Sequence, residues 1–283
     1  MDFKIRVVQT FPRLGDVPYN FSYHCSEINK AINDKIDLII FPELSLTGYL
    51  LKDMVPVVAL HKEHSIIDKF KELSKKISIL IGLVEESDSV IFYNSAFYFE
   101  AGQLKNNYRK VYLPTYGMFE EARYFGSGDK VRAVPTKFGR FGFAICEDAW
   151  HPSLIYTLSQ DRIKYLFILS SSPARGFSEG REKFKTAEIW ENLIRSYAIL
   201  FSNYVIYVNR AGVEDGISFW GGSEVIEPSG VSSLKLPYLE EACGDSVLFE
   251  DNIRRVRMYS PLLRDEKLKL TLNELKRIYD NDR

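Results

Sequence analysis

Two periods of apolar spacing alternate along the chain. Residues 5–11 read as a strand, and residues 138–146 alternate in strand fashion around Gly139 and Gly142. Residues 36–41 form an apolar run of strand length, as expected for a strand covered on both faces, and residues 165–170 and 205–209 read the same way. Between them the period lengthens. Residues 20–33 put Ile28, Ala31 and Ile32 on one side, and residues 65–77 align Ile66, Ile67, Phe70, Leu73 and Ile77. Residues 183–201 carry Trp190, Leu193, Ile194 and Tyr197 at helical offsets; shorter helices are predicted at 153–161 and 268–279. Residues 79–84 and 91–100 read as paired strands followed by a turn at Ala101-Gly102-Gln103, and 217–220 with 224–227 flank Gly221-Gly222 as a hairpin.

This alternation predicts an α/β fold with sheets covered by helices, and the hairpin signals argue against a purely parallel sheet. No repeat, low-complexity tract or Pro/Gly/Ser linker interrupts it, so residues 1–283 are expected to form one domain. With 283 residues, 46% apolar and 27% charged, the chain can bury a large core without disulfide or metal staples. A formal net charge of −1 offers no broad attraction to nucleic acid or anionic membrane, and neither is expected as a partner. The strand-like pattern starts within the first residues with no secretory leader visible, and no apolar run approaches a membrane span.

Cys25, Cys146 and Cys243 fit neither a disulfide framework nor a zinc cluster, and a sparse, odd set suits a reducing cytoplasm. His61 and His64 read as a solvated helix start rather than a metal pair. Glycine-rich phosphate loops and a Gly-x-Ser-x-Gly elbow are absent, and nothing requires a metal or organic cofactor.

Three short segments carry candidate chemistry. Leu38-Ile39-Ile40-Phe41-Pro42-Glu43 ends an apolar strand on a carboxylate, Arg109-Lys110 precedes an apolar stretch, and Gly142-Phe143-Ala144-Ile145-Cys146 ends a strand on a thiol. Each has a bland alternative: a capping carboxylate, a solvated basic pair, a buried apolar cysteine. Glu147 and Asp148 mark where the chain leaves the core after Cys146, where a cysteine can be partly exposed. Together a carboxylate base, an ammonium and a thiol are the groups a covalent hydrolase needs.

Glu43, Lys110 and Cys146, each in its own motif and in this order, resemble the catalytic residues of the nitrilase (carbon–nitrogen hydrolase) superfamily. The likeness extends through Phe41-Pro42-Glu43-Leu44, Thr47-Gly48-Tyr49, Trp220-Gly221-Gly222-Ser223 and Leu263-Arg264-Asp265. Tyr116-Gly117-Met118-Phe119-Glu120-Glu121 and Cys146-Glu147-Asp148-Ala149-Trp150 resemble most the glutaminase domain of glutamine-dependent NAD synthetases. The resemblance implies a four-layer α-β-β-α sandwich and cleavage of a small primary amide through a cysteine thioester. In that scheme Glu43 is the base, while Lys110 and the backbone N–H of Glu147 stabilise the oxyanion. Glu121 matches a second glutamate near the site, with Glu120 as the bland alternative. Tyr116, Phe119, Trp150 and Ser172 match positions lining the acyl pocket. Arg175 or Arg181 could pair with a substrate carboxylate, or simply be a solvated loop cation. The synthetase loop Ser-Gly-Gly-x-Asp-Ser is absent, so a synthetase would be a separate partner. Family members usually form homodimers or larger homo-oligomers, to which residues 252–263 are expected to contribute. Nitrile or N-carbamoyl hydrolysis on the same trio, and a catalytically inactive binding protein, are the alternative readings.

Overall fold

The structure is a computed structural model that describes residues 2–176 and 184–281. Local chemistry starts its elements. The Asp16 side chain accepts the Tyr19 N–H and Pro18 sits in the first turn, so the helix predicted from residue 20 begins earlier, at Val17. The His64 ring accepts the Ile66 N–H and caps a helix in the same way.

The first half of the chain runs β1 (Phe3–Gln9), α1 (Val17–Asn33), β2 (Leu38–Ile40), α2 (Val55–Val58), β3 (Leu60–His61), α3 (Ser65–Leu73), β4 (Ser78–Glu86), β5 (Phe92–Glu100), β6 (Gln103–Arg109) and α4 (Glu121–Tyr124). The second half runs β7 (Val134–Thr136), β8 (Gly139–Ile145), α5 (Pro152–Gln160), β9 (Tyr165–Ser170), α6 (Lys185–Phe201), β10 (Tyr204–Asn209), β11 (Ala211–Glu214), β12 (Ile217–Trp220), β13 (Glu224–Ile226), β14 (Ser232–Lys235), β15 (Ala242–Leu248), α7 (Glu250–Tyr259), α8 (Leu262–Asp265) and α9 (Leu268–Asn281).

Among the described residues two large sheets form. One has the order β15-β1-β2-β4-β5-β6, with β3 on β4; the other has the order β14-β13-β10-β9-β8-β7. The central strands β1, β2 and β4, and likewise β8, β9 and β10, are parallel, with antiparallel strands outside them. Alternate residues of each central strand enter different cores. Ile5, Leu38 and Ile40 face Phe141, Phe143 and Phe167 between the sheets. Ile39, Phe41 and Ile79 meet α1 and α3 on one outer side, and Leu166, Ile168 and Val205 meet α5 and α6 on the other. The layers are therefore α-β-β-α, with an aromatic seam in which Phe3 stacks on Phe138 at 4.3 Å.

The structure also corrects other sequence expectations. Residues 217–220 and 224–227 are not a hairpin: β12 pairs with β11, whereas β13 joins the second sheet beside β10. Gly221 and Gly222 turn the chain between sheets at φ 68 and 60, packed so closely on Gln9 and Trp220 that a Cβ would clash with them. β6 and β15 carried no readable signal: both lie at the rim of the first sheet, where β6 is mostly polar and β15 mixes small, polar and apolar residues. The first strand spans Phe3–Gln9 rather than 5–11, since Thr10 already turns away to accept the Ala211 N–H. The helix expected over 183–201 is described as Lys185–Phe201; Lys183 lies outside the described residues. No helix among the described residues is long and apolar enough to cross a membrane.

Candidate active site

The carboxy-terminal ends of β2, β6, β8 and β9 converge, and the sequence candidates lie there. Glu43 follows β2 after Phe41 and Pro42 and is buried. Its approach is set by Gly82 of β4, where a Cβ would lie 2.4 Å from the Pro42 carbonyl oxygen. Lys110, fully buried, follows β6. Its Nζ donates to Glu43 Oε1 at 2.8 Å and to Glu121 Oε1 at 2.7 Å. Glu121 opens α4 and is buried while its neighbour Glu120 is exposed, which separates the two glutamates of that motif. Asn94 Nδ2 also donates to Glu43 Oε1 at 2.8 Å, and the Ser171 N–H donates to Oε2 at 2.6 Å.

Burial alone would lower the Lys110 ammonium, but the charges of Glu121 and Glu43 outweigh it and hold the group well above the ordinary lysine value. Burial pushes Glu121 up to about 7 against the pull of Lys110. Tyr49, from the Thr47-Gly48-Tyr49 loop, donates its hydroxyl to Glu121 Oε1 at 2.5 Å.

Cys146 follows β8 and starts one 3-10 turn, Cys146–Trp150, at φ 45. That left-handed backbone is unusual for a side-chain-bearing residue and common at functional sites. Cys146 is half-buried. Burial and the charge of Glu43 raise its thiol, while Lys110 and the Ser170 hydroxyl pull it down. Ser170 Oγ donates to Cys146 Sγ at 3.4 Å, one residue before the N–H that binds Glu43, so the thiol and the carboxylate face each other across the sheet ends.

Asp148 is the residue that the sequence reading missed. Far from marking an exit from the core, it is fully buried. It accepts the Ile145 N–H at 2.9 Å, the Val111 N–H at 3.0 Å, the Tyr112 N–H at 2.9 Å and the Tyr108 hydroxyl at 2.7 Å. It thereby clamps the Cys146 turn to the strand end that carries Lys110. Only its place two residues after the thiol could have flagged it.

The residues expected to line an acyl pocket are placed unevenly. Tyr116 is exposed, and its hydroxyl donates to the Glu147 carboxylate at 3.0 Å. Phe119 stands edge-on to Tyr116 and Tyr49, and the exposed Arg175 guanidinium lies 5.3 Å from its ring centre. Trp150 is half-exposed, edge-on to Trp190. Ser172 is buried, with its hydroxyl accepting Trp190 Nε1 at 3.0 Å and its N–H donating to Asn209, so it lies within a network of protein groups. Arg181 lies outside the described residues.

The carbon-nitrogen hydrolase family profile matches residues 4–243, and the chain belongs to that family. It is 30% identical over 240 residues to a glutamine-dependent NAD(+) synthetase of Acinetobacter baylyi, a match covering 84% of this chain and 43% of that protein. The chain thus spans less than half the length of that relative. A probable nitrilase of Schizosaccharomyces pombe is 29% identical, with 81% of this chain and 82% of that protein matched. Among solved structures, a carbon-nitrogen hydrolase from Helicobacter pylori superposes with a TM-score of 0.86 at 25% identity, covering 98% of this chain and 99% of that one.

Proposed function

We propose that this carbon-nitrogen hydrolase is an amidase that cleaves a small primary amide, glutamine-like, to the acid and ammonia through a thioester on Cys146. The observation that carries the reading is the buried ammonium of Lys110 held between Glu43 and Glu121 beside the half-buried Cys146. Glu43 takes the thiol proton as sulfur attacks the amide carbon. Lys110 and the Glu147 N–H receive the charge that develops on oxygen. Glu43 returns the proton to the leaving nitrogen, ammonia departs, and Sγ stays bonded to the acyl carbon. Water, deprotonated by Glu43, then breaks the thioester and restores the thiol. Tyr116, Phe119, Glu147 and Trp150 form the wall of the acyl pocket, with Ser172 buried behind it, and Arg175 at its mouth meets a substrate carboxylate.

The test is ammonia release from glutamine, asparagine and short aliphatic amides beside a Cys146→Ala control. Cys146-dependent release from at least one amide is expected. Turnover of nitriles or N-carbamoyl compounds, with every amide inert, would overturn the substrate class, and a fully functional Cys146→Ala protein would overturn the mechanism.

The NAD synthetase relatives support a second reading, in which the chain supplies ammonia to a separate synthetase. Activity should then rise on mixing with that partner, and unchanged activity would refute it. A homodimer or larger assembly belongs to the same proposal. It is supported by the exposed leucines Leu268, Leu272 and Leu275 with Tyr279 along α9, at the spacing of a packing seam. A monomeric mass by light scattering would refute it.

A further inference from the structure

We propose that a directed chain of hydroxyls, Tyr207 to Ser170, delivers a hydrogen bond to the Cys146 sulfur and promotes its ionisation for attack. The inference deepens the proposed thioester mechanism and rests on Cys146 being its nucleophile.

The direction of the chain follows from proton counting. Tyr207 donates its hydroxyl to Ser170 Oγ at 3.2 Å, and Ser170 Oγ donates to Cys146 Sγ at 3.4 Å. A serine hydroxyl has one proton, so one that accepts from Tyr207 must spend its own elsewhere, and the sulfur is the acceptor in reach. The phenol is held at the start of this chain by Trp190, which stacks on its ring and is itself fixed by donating Nε1 to Ser172 Oγ at 3.0 Å. From phenol to sulfur, each proton therefore points toward Cys146.

The framework holds this alignment. Tyr207 of β10 is in register with Ile168 of β9, so Ser170, two residues further, shares its face. The Tyr207 ring is fully buried between Trp190, at 4.9 Å, and Trp220, at 5.8 Å. A fixed ring with its hydroxyl on Ser170 locks a rotor that would otherwise be free. The need for such a donor is local. Glu43 and Glu121 oppose charge on the sulfur, and Lys110 is already shared between those two carboxylates. Among the described residues, Tyr49, Tyr116 and Tyr207, whose ionisation the sulfur in turn opposes, are the remaining titratable groups facing it.

The test reads the sulfur directly and needs no substrate. Purified full-length protein is treated with iodoacetamide across a pH series, and alkylation of the Cys146 peptide is followed by mass spectrometry, which separates it from Cys25 and Cys243. Tyr207→Phe and Ser170→Ala should each slow Cys146 alkylation near pH 8 about fivefold, the worth of one neutral hydrogen bond, and move its pH midpoint upward. Tyr165→Phe removes another buried hydroxyl, one without a hydrogen-bond partner among the described residues, and should leave the profile unchanged. Folded Tyr207→Phe and Ser170→Ala proteins that alkylate with the wild-type profile would overturn the relay while leaving the amidase reading standing. A shifted profile in a protein that turns over no amide would keep the relay and overturn the amidase reading. A wild-type Cys146 that resists alkylation at every pH would overturn both.

Discussion

The Tyr108 hydroxyl meets Asp148 Oδ2 at 2.7 Å, joining the strand that leads to Lys110 with the turn that begins at Cys146. The other oxygen of Asp148 accepts the N–H groups of Val111 and Tyr112, immediately after that lysine. One buried carboxylate thus sets the spacing of ammonium and thiol without touching either. Asp148→Ala would strand these donors in the core at a cost on the order of 3 kcal/mol. Turnover should fall by more than the loss of folded protein accounts for. Activity per folded molecule, measured beside an unfolding curve, checks this, and wild-type turnover in the folded fraction would refute the clamp.

Glu121 gives the protein a pH signature. Its folded value of about 7 lies above the ordinary glutamate value, so the folded state holds a proton that the unfolded chain releases. The resulting stability is fully present below the ordinary value and lost as pH rises through about 7. The change is on the order of 3 kcal/mol. Glu121→Gln should flatten that slope. Denaturant unfolding at pH 4.5 and 8 on both proteins makes the comparison, and equal slopes would contradict the assignment.

Arg210 and Glu214 form a buried ion pair away from the thiol. Glu214 Oε1 also accepts the N–H groups of Tyr49 and Leu50, at 2.8 and 2.7 Å, and so anchors the loop whose tyrosine holds Glu121. Among the described residues, Arg210 Nε and Nη2 meet no acceptor. Glu214→Leu alone should cost about 3–5 kcal/mol by leaving a buried cation. Adding Arg210→Met should recover a good part of the stability but not the turnover, because the loop stays unanchored. A double variant less stable than the single would show that the pair itself drives folding.

Gly82→Ala tests the backbone approach beside Glu43. The new Cβ would lie 2.5 Å from the Leu44 nitrogen and 2.8 Å from the Glu43 Cα. Overpacking on the order of 2–3 kcal/mol is expected, and the displaced base should lower kcat more than it raises KM. A variant with wild-type kcat would mean that Glu43 tolerates the shift.

The layers were legible where a strand is covered on both faces. The apolar run at residues 36–41 and the helical spacing around Trp190, Ile194 and Tyr197 each report burial directly. The path that ends on Lys110 was not, since Gln103–Arg109 lies at the sheet rim and needs few apolar residues. Gly221-Gly222 looks like a hairpin turn in one dimension, and only the separate partners of β12 and β13 distinguish a crossing between sheets. At the site, the order of Glu43, Lys110 and Cys146 could be read along the chain. Whether Glu120 or Glu121 turns inward depends on the start of a four-residue helix, which no spacing encodes. Asp148 resembles any acidic turn residue because three of its four partners lie 36 to 40 positions away.

Glu43 and Lys110 hang from the first sheet, whereas Cys146 and Ser170 hang from the second, with the aromatic seam between them. Turnover is therefore a gauge of registry between two layers that each keep their own backbone ladder. In a denaturant series, conditions that only fluidise the Phe3, Phe138 and Phe141 stack would let the sheets slip and silence the site. Amide protons within each ladder would remain protected from exchange, so the protein would lose its chemistry as a hinge loses alignment, before either leaf has come apart.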